Sequence, residues 1–346
     1  MDTIRVAILG ASGYTGAELL RLLVRHPRVR IVALTADRKA GEGIDTVFPQ
    51  FLGYDLPKLV SIKEVDFSGV DAVFCALPHG TTQEVIAGLP THLKVIDLSA
   101  DFRLTSLDDY AKWYGHEHRA PELQKEAVYG LTEVYRDKVK QARLVANPGC
   151  YPTSAQLPLI PLLQAGQIDP DDIVIDAKSG VSGAGRAAKE GSLFCEVTEG
   201  VHAYGVASHR HGPEIEQILS EATGQPIMVN FTPHLMPMSR GMLSSIYVKL
   251  KHGATAEDLR ATLVKRYADE AFVKVVPQGV SPQTRHVRGT NLAHIGVFAD
   301  RLKGRAMLFC SIDNLMKGAS GQAVQNFNVM FGIPETVGLE QLAIFP

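Results

Sequence analysis

Cysteine is scarce in this sequence, and its few positions are far apart. Four cysteines occur in 346 residues, at Cys75, Cys150, Cys195 and Cys310, with no Cys-x-x-Cys pair. This spacing argues against a disulfide framework and against a zinc site, so we expect no metal. No apolar run reaches the roughly 18 to 20 residues that cross a bilayer, and the first residues lack the layout of a signal peptide. We therefore expect a cytoplasmic protein with reduced thiols and no membrane partner.

An excess of charge of one sign is also missing. The chain has 35 Lys and Arg against 37 Asp and Glu, a formal charge of −2, and no block of five like charges. This balance argues against a surface that binds nucleic acid. Apolar residues make up 45% and charged residues 21% of the chain, as in ordinary globular enzymes. A length of 346 residues indicates two domains.

The first 150 residues alternate between short apolar strands and helices, which is typical of α/β proteins. The run Val6–Leu9 is apolar throughout, as expected of a strand buried on both faces of a parallel sheet. A helix is predicted over 17–24, and further strands at 30–34, 72–77, 94–98 and 144–146. We predict an α/β domain with a Rossmann-type, doubly wound parallel sheet.

After Cys150, strands follow one another with few helices between them. Strands are predicted at 173–175, 227–231, 244–250, 294–298 and 306–309, and helices at 256–269 and 320–330. This order indicates a second, α+β domain with a mostly antiparallel sheet.

A glycine-rich turn lies directly between the first strand and the first helix, at Gly10–Gly16 (GASGYTG). Glycines allow a tight turn, and the free N–H groups of a helix N-terminus can bind a pyrophosphate. The spacing is Gly-x-x-Gly-x-x-Gly, and such turns are common, but its place in a βαβ unit favours a dinucleotide. After the second strand, Arg38 and Lys39 suit the 2′-phosphate of NADP, whereas Asp37 suits the ribose hydroxyls of NAD. We expect NADP.

Cys150 has a distinctive local sequence, Asn147–Thr153 (NPGCYPT). Pro148-Gly149 favours a sharp turn, and Pro152 suits the first turn of a helix. A thiol at a helix N-terminus is stabilised as the thiolate by the helix dipole and the unpaired amides. The other three cysteines are adequately explained as inert apolar residues. Cys150 is therefore the candidate nucleophile.

A thiolate nucleophile needs a group that relays protons. The segment His209-Arg210-His211 precedes a predicted helix start at 213, and we expect it to be extended, with both imidazoles on one side. A solvated loop would explain the two histidines equally well. A second glycine-rich run, Lys178–Arg186, could hold an anion or the nicotinamide amide through backbone N–H groups, or could be an ordinary loop.

Together these motifs resemble the N-acetyl-gamma-glutamyl-phosphate reductases, a family within the semialdehyde dehydrogenase superfamily. The resemblance rests on Gly10–Gly16, Leu77–Gly80, Asp97–Leu104, Tyr129–Glu133, Asn147–Thr153, Ser179–Arg186, His209–Ile215, Pro233–Gly241 and Asp313–Gly321. NPGCYPT and HRHGPEI are specific, and the glycine turn is not. The alternatives are a sibling enzyme, either aspartate-semialdehyde dehydrogenase or an aminoadipyl-phosphate reductase, and a non-catalytic NADP-binding sensor. HRHGPEI tells against the first of these.

The resemblance implies NADPH-dependent reduction of a small acyl phosphate through a thioester on Cys150, in arginine biosynthesis. It implies a proton relay by His209, with His211 as the second choice. It implies cofactor contacts from Gly10, Ser12, Gly13, Tyr14, Thr15, Gly16, Arg38, Pro78, His79, Ser179, Gly180, Gly183, Asn314 and Lys317. It implies substrate contacts from Arg103, Arg186, Arg210, Glu214 and, less surely, Arg240.

The same resemblance implies a discontinuous cofactor domain. Residues 1–149 and about 315–346 would bind NADP, and residues 150–314 would form a catalytic and dimerisation domain. The protein would then be a homodimer or homotetramer.

Overall fold

The chain forms two units in the computed structural model, which describes residues 3–345. The first unit comprises 3–148 and Ala319–Glu340, and the second comprises Gly149–Gly318 and 341–345. The chain passes from the first unit to the second between Pro148 and Gly149, immediately before Cys150. Across the described residues, no helix has the length and apolar character needed to span a bilayer.

The first unit is built on a seven-stranded parallel sheet. Its strands are β1 (Ile4–Leu9), β2 (Val29–Thr35), β3 (Leu59–Val60), β4 (Ala72–Cys75), β5 (Lys94–Asp97), β6 (Val128–Tyr129) and β7 (Leu144–Ala146). They lie in the order β3-β2-β1-β4-β5-β7-β6, and every pairing is parallel. The strand order reverses between β1 and β4, which is where ligands bind in doubly wound sheets.

The helices that precede the second unit cover this sheet. They are α1 (Tyr14–Leu23), α2 (Ile44–Val47), α3 (Thr82–Ala87), α4 (Leu107–Tyr114), α5 (Pro121–Gln124) and α6 (Thr132–Gln141). Apolar residues at the spacing of a helix face bury α1 against the sheet, at Leu19, Leu20, Leu22 and Leu23. The four residues of β4 are fully buried, as parallel strands covered on both faces must be.

The second unit contains a mixed seven-stranded sheet. Its strands are β8 (Ile168–Gly180), β9 (His202–Ala203), β10 (Asn230–Met236), β11 (Met242–Leu250), β12 (Val273–Val275), β13 (Ala293–Ala299) and β14 (Arg305–Ile312). The order is β12-β13-β14-β11-β8-β10-β9. Within the described part of this second sheet, only the pairs β12/β13 and β8/β10 are parallel and the other pairs are antiparallel. The predicted fold class is therefore confirmed.

Four helices belong to the second unit. They are α7 (Cys150–Gln164), α8 (Phe194–Val197), α9 (His211–Thr223) and α10 (Ala256–Arg266). Residues 151–163 of α7 are all buried, because the helix packs against α9, α10 and β11. A helix that is enclosed on every side needs no polar face, which explains why residues 157–163 are apolar without interruption.

The last helix, α11 (Gly321–Met330), returns to the first unit and is buried at every position. Its polar side chains are hydrogen-bonded, as buried amides must be. The amide of Asn326 accepts from Thr132 Oγ1 at 2.8 Å and donates to Gly130 O at 2.8 Å and to Asn147 Oδ1 at 3.1 Å. The helix thereby holds Asn147, three residues before Cys150.

Two local predictions were wrong. The strand expected at 227–231 begins at Asn230 and continues to Met236, through Pro233. Proline is tolerated there because the neighbouring strand β9 is short and pairs only with His234 and Leu235. The segment around Arg210 is not extended, because this residue has helical angles (φ −62°, ψ −14°) and leads directly into α9.

Candidate active site

Cys150 is the first residue of α7, as the sequence predicted. The preceding residue, Gly149, has an extended backbone and caps the helix. The thiol is partly accessible and lies at the end of the helix where the dipole stabilises a thiolate. By contrast, Cys75 and Cys310 are buried, and burial raises the pKa of Cys310 to about 12.

A carboxylate holds the backbone in front of this thiol. Glu214 Oε1 accepts a hydrogen bond of 2.8 Å from the N–H of Gly149, and Gln156 Nε2 donates to Glu214 O at 3.1 Å. Glu214 lies in the first turn of α9, so the N-terminal ends of α7 and α9 both face its charge. The side chain is fully buried. Glu214 thus has a contact within the protein beside its implied contact with substrate.

Aromatic rings surround the two histidines of the HRHGPEI segment. The ring of Tyr151 lies 5.7 Å from that of His209 and 5.8 Å from that of His211, and the two imidazoles are 4.8 Å apart. Tyr204 and Phe231 pack on His209 at 5.3 and 5.6 Å. The sequence therefore identified the histidines correctly as neighbours, although not through an extended backbone.

The two tyrosines form a hydrogen-bonded chain. Tyr204 Oη donates to Tyr151 Oη at 3.1 Å, and Tyr151 Oη donates to His234 O at 3.2 Å. Burial raises the pKa of both hydroxyls, that of Tyr204 to about 12. Sequence reasoning missed both residues. The position of Tyr151 next to Cys150 could have indicated it, whereas the sequence around Tyr204 contains no such indication.

A hydrogen bond from the backbone distinguishes the two histidines. The N–H of His211 donates to Nδ1 of His209 at 3.1 Å, so neutral His209 carries its hydrogen on Nε2. Burial, aided by the charge of Arg210, lowers the pKa of His209 to about 4. His209 is thus held as a neutral hydrogen-bond donor. His211 is the first residue of α9, on the end that faces Gly149.

The second glycine-rich run begins inside β8 rather than after it. Gly180 ends the strand, and a Cβ there would lie 2.9 Å from Arg240 N and from Met238 O. Asn314 fixes this region, because its Oδ1 accepts from Gly241 N at 2.8 Å and its Nδ2 donates to Ser182 Oγ at 2.9 Å. Because the backbone at Met238 and Arg240 approaches Gly180 so closely, this position needs glycine.

The remaining implied residues of the second unit are distributed between core and surface. Ser179 is buried and donates to Gly180 O at 3.1 Å, whereas Gly183, Arg186 and Arg210 are exposed. Arg240 Nε lies 3.2 Å from Asp313 Oδ2, a contact within the protein. Lys317 is fully buried, with its ammonium 5.8 Å from the ring of Phe272.

In the first unit, the glycine turn lies at the switch point of the sheet. Gly10 has φ +85°, and a Cβ there would lie 2.5 Å from Ala76 O, in the segment after β4. A Cβ on Gly16 would lie 2.5 Å from Gly10 O, whereas Gly13, the N-cap of α1, has only Gly10 O at 3.6 Å. The turn is closed at both ends and open in the middle. It thus offers the cradle that a pyrophosphate requires.

The other implied cofactor residues of the first unit lie around this turn. Ser12, Thr15 and His79 are partly exposed, and Tyr14, Arg38 and Pro78 are exposed. Lys39 pairs with Glu42 at 3.0 Å, and Asp37 Oδ1 accepts from Ile62 N at 3.4 Å. Among residues 3–345, no group of three His, Cys, Asp or Glu side chains is arranged to hold a metal ion.

Arg103 is buried and joins the carboxyl ends of two strands. Its Nε donates to Asn147 O at 2.8 Å, and its Nη2 donates to Leu98 O at 3.0 Å. The guanidinium thus helps to fix the turn that leads to Cys150. A guanidinium anchored in this way keeps its charge while its geometry is fixed.

Sequence models of known families match most of the chain. The model described as Semialdehyde dehydrogenase, NAD binding domain, matches residues 5–142, and Semialdehyde dehydrogenase, dimerisation domain, matches residues 150–314. Among solved structures, aspartate semialdehyde dehydrogenase II of Vibrio cholerae, complexed with ASA, has a TM-score of 0.72 at 18% identity, covering 96% of this chain and 99% of that one. The fold and the two matches define the semialdehyde dehydrogenase class, with a nicotinamide-dinucleotide-binding unit.

Relatives with higher identity narrow this class. N-acetyl-gamma-glutamyl-phosphate reductase of Rhodospirillum rubrum is 65% identical over 350 residues, covering 100% of this chain and 99% of the relative. The probable chloroplastic N-acetyl-gamma-glutamyl-phosphate reductase of Arabidopsis thaliana is 60% identical over 343 residues, covering 99% and 86%. The chain belongs to the N-acetyl-gamma-glutamyl-phosphate reductase family of oxidoreductases, so the resemblance read from its motifs is confirmed.

Proposed function

We propose that this protein reduces N-acetyl-gamma-glutamyl phosphate to N-acetylglutamate 5-semialdehyde with NADPH, releasing phosphate, as a step of L-arginine biosynthesis. The observation that carries this proposal is a thiol at a helix N-terminus, next to a backbone N–H that is hydrogen-bonded to Glu214 in α9, the helix that begins at His211. The relatives' names supply the substrate.

The residues present fit a nicotinamide dinucleotide. The open middle of the glycine turn at Gly13 would receive the pyrophosphate, with Ser12, Tyr14 and Thr15 around it. Arg38 is exposed after β2, while Asp37 and Lys39 have partners within the protein. A free guanidinium there favours the 2′-phosphate, which is why we propose NADP rather than NAD. When bound, NADPH supplies the hydride that reduces the acyl group.

The chain's own groups account for the other steps. The Cys150 thiolate attacks the carbonyl carbon of the acyl phosphate and expels phosphate, which leaves a thioester; after reduction, the carbon–sulfur bond breaks and releases the aldehyde. We assign the proton relay to His211, because the Nδ1 lone pair of His209 is already occupied by a backbone N–H. Arg103, Arg186 and Arg210 are the proposed contacts for phosphate and carboxylate.

The organisation of the chain is part of the same proposal. We assign cofactor binding mainly to the first unit and catalysis and assembly to the second, with a homodimer or homotetramer as the working form. The matching model described as a dimerisation domain supports this assignment. We also propose a cytoplasmic location, where NADPH and reduced thiols are available.

An assay of the reverse reaction tests the proposal. Purified protein is given NADP+, phosphate and N-acetylglutamate semialdehyde, and nicotinamide absorbance is followed; aspartate semialdehyde and NAD+ serve as comparisons. We expect phosphate-dependent reduction of NADP+ with the acetylated substrate. Cys150→Ala should lose more than about a thousandfold in kcat while retaining NADP binding. Cys195→Ala, an exposed cysteine outside the site, should match the wild type.

Other outcomes select the alternatives. Turnover of aspartate or aminoadipate semialdehyde instead would keep the mechanism and assign the chain to a sibling activity. NADP binding without turnover of any aldehyde would identify a sensor. Activity that survives in Cys150→Ala would contradict the thioester mechanism.

A further inference from the structure

Four oxygen-bearing side chains form a buried chain of contacts in the first unit. Asp97 ends β5, Ser99 and Asp101 follow it, and Thr82 begins α3. Ser99 Oγ lies 2.7 Å from Asp97 Oδ2 and 2.7 Å from Thr82 Oγ1. Thr82 Oγ1 in turn makes a short hydrogen bond to Asp101 Oδ2. Two carboxyl groups are therefore connected through two hydroxyls.

Counting hydrogens shows that one carboxyl group is protonated. Three consecutive oxygen–oxygen contacts within hydrogen-bond distance need three hydrogens, one for each contact. The hydroxyls of Ser99 and Thr82 supply two, and an ionised carboxylate supplies none. The third hydrogen therefore belongs to Asp97 or Asp101.

The other hydrogen bonds of Asp97 and Asp101 decide which of these two carboxyl groups carries the third hydrogen. Asp101 accepts from Gly80 N at 2.7 and 2.9 Å, from Thr82 N at 3.1 Å and from Tyr110 Oη at 3.3 Å. Both of its oxygens face donors, so Asp101 is the ionised member. Asp97 receives, besides the Ser99 hydroxyl contact, only the N–H of Ser99, on Oδ1 at 2.9 Å. Asp97 Oδ2 can therefore carry the hydrogen and donate it to Ser99.

The surroundings agree with this assignment. Burial raises the pKa of Asp97 to about 7, against the opposing effect of its two hydrogen bonds with Ser99. The nearby charge of Asp101 adds to the rise, and Arg103 opposes it. His79 Nδ1 lies 3.6 Å from Asp101 Oδ1, and His118 Nε2 contacts Asp101 O at 2.9 Å. Cys75 also faces both aspartates, and its own pKa is raised, chiefly by burial.

The ionised group controls the shape of a loop at the switch point. Residues 77–82 run from the connection after β4 to the first residue of α3, and Gly80 within them has φ +83°. Asp101 binds two backbone amides of this loop, at Gly80 and Thr82. The segment that enters the loop packs on the glycine turn, because Ala76 O is the atom that a Cβ on Gly10 would meet.

We propose that Asp101, kept ionised because Asp97 carries the proton, is a positioning residue that holds the 77–82 loop in the shape that binds the nicotinamide cofactor. The inference rests on the cofactor role proposed above. It assigns opposite protonation states to two aspartates four residues apart.

Two amide substitutions in the same buried cluster test it. Asp97→Asn keeps an acceptor for the N–H of Ser99 and a donor for its hydroxyl, so we expect NADPH affinity and kcat within about twofold of the wild type. Asp101→Asn turns one acceptor into a donor that faces other donors. We expect the Kd and KM for NADPH to rise about tenfold or more, the effect of about 1.4 kcal/mol, with kcat at saturating NADPH changed less than about threefold.

NADPH fluorescence titration measures the Kd, and circular dichroism checks the fold of each variant. If the wild type does not bind NADPH, the proposed function itself fails. If the wild type binds and Asp101→Asn binds equally well, or if Asp97→Asn is weakened as much as Asp101→Asn, the positioning role is overturned. Should Asp101→Asn not fold, Thr82→Val against Thr82→Ser replaces it. Weaker NADPH binding in Thr82→Val alone supports the inference, and equal binding overturns it.

Discussion

The division of labour between His209 and His211 depends on a single backbone hydrogen bond. Because the N–H of His211 occupies Nδ1 of His209, this nitrogen cannot take up a proton while the contact holds, which is why we assign the relay to His211. The sequence placed His209 first, and nothing in its letters could have ordered the two. The order depends on the turn at Arg210, which a period-two interpretation of the tripeptide did not predict.

We expect His211→Asn to lower kcat by about 10² to 10⁴-fold, the range of general acid–base catalysis. His209→Asn keeps an acceptor for the N–H of His211 and should lower kcat by about tenfold or less. Because the pKa of His209 is lowered to about 4, this ring is already neutral at ordinary assay pH. The pH–rate profile of His209→Asn should therefore match that of the wild type. In His211→Asn, the part of the profile in which the rate changes with protonation of the relay group should disappear.

The measurement is kcat and kcat/KM of all three proteins across about pH 5 to 9. Loss of that part of the profile in His209→Asn, with a normal profile in His211→Asn, would reverse the assignment.

How far sequence reasoning reaches at the residue scale is clear from Cys150 and Tyr204. Cys150 could be identified because its environment is local: a strand end, a turn and a helix start occupy adjacent positions. Tyr204 could not, because its contact with Tyr151 joins residues 53 positions apart. Glu214 was identified from its motif, but its contact with Gly149 was not predicted, since that contact depends on how two helices pack.

At the scale of elements, strands with several apolar residues were predicted and two-residue strands were not. β1 was predicted because its last four residues are apolar and buried. β3 and β6 have two residues each, too few to show any periodicity. The glycine turn was placed correctly. Its spacing alone did not show at which glycine an added Cβ would meet the backbone and at which it would meet open space.

Because Gly16 and Gly13 have such different surroundings, an alanine at each should affect stability differently. Gly16→Ala would place a Cβ 2.5 Å from Gly10 O and 2.7 Å from Ala11 Cα, both backbone atoms that cannot move independently. We expect a loss of about 1 to 3 kcal/mol in the free energy of unfolding. Gly13→Ala meets only Gly10 O at 3.6 Å and should lose less than about 1 kcal/mol.

NADPH binding, unlike stability, should be affected by Gly13→Ala. The methyl group of Gly13→Ala projects into the proposed pyrophosphate cradle, so this variant should bind NADPH more weakly than the wild type although its fold is nearly unchanged. Denaturant unfolding and fluorescence titration provide the two measurements. Normal NADPH binding by a stable Gly13→Ala would mean that the turn is not the pyrophosphate site.

At the scale of the whole chain, motif order allowed the family to be identified, but the surface used for assembly has no sequence signature. In the second unit, four large apolar side chains within residues 193–206 remain exposed. Their exposed fractions are 54% for Leu193, 79% for Phe194, 58% for Val201 and 60% for Val206. Contiguous exposed apolar surface is a feature of protein interfaces.

A second copy of this chain is the partner we expect on this segment, because residues 150–314 match a model described as a dimerisation domain. Burying a phenylalanine side chain contributes about 1.5 to 3 kcal/mol, and a loss of 2 kcal/mol weakens association about 30-fold. Phe194→Lys should therefore shift the protein towards monomer. Leu302→Lys, equally drastic at a 65% exposed position in the turn between β13 and β14, should not.

Size-exclusion chromatography with light scattering, over a range of protein concentrations, measures the mass of each species. A wild type that is monomeric at every concentration would contradict the assembly. An oligomer that persists unchanged in Phe194→Lys would place the interface elsewhere in the second unit. Dissociation by both lysine variants would indicate a general effect of added charge, whereas dissociation by Phe194→Lys alone assigns residues 193–206 to the contact between copies.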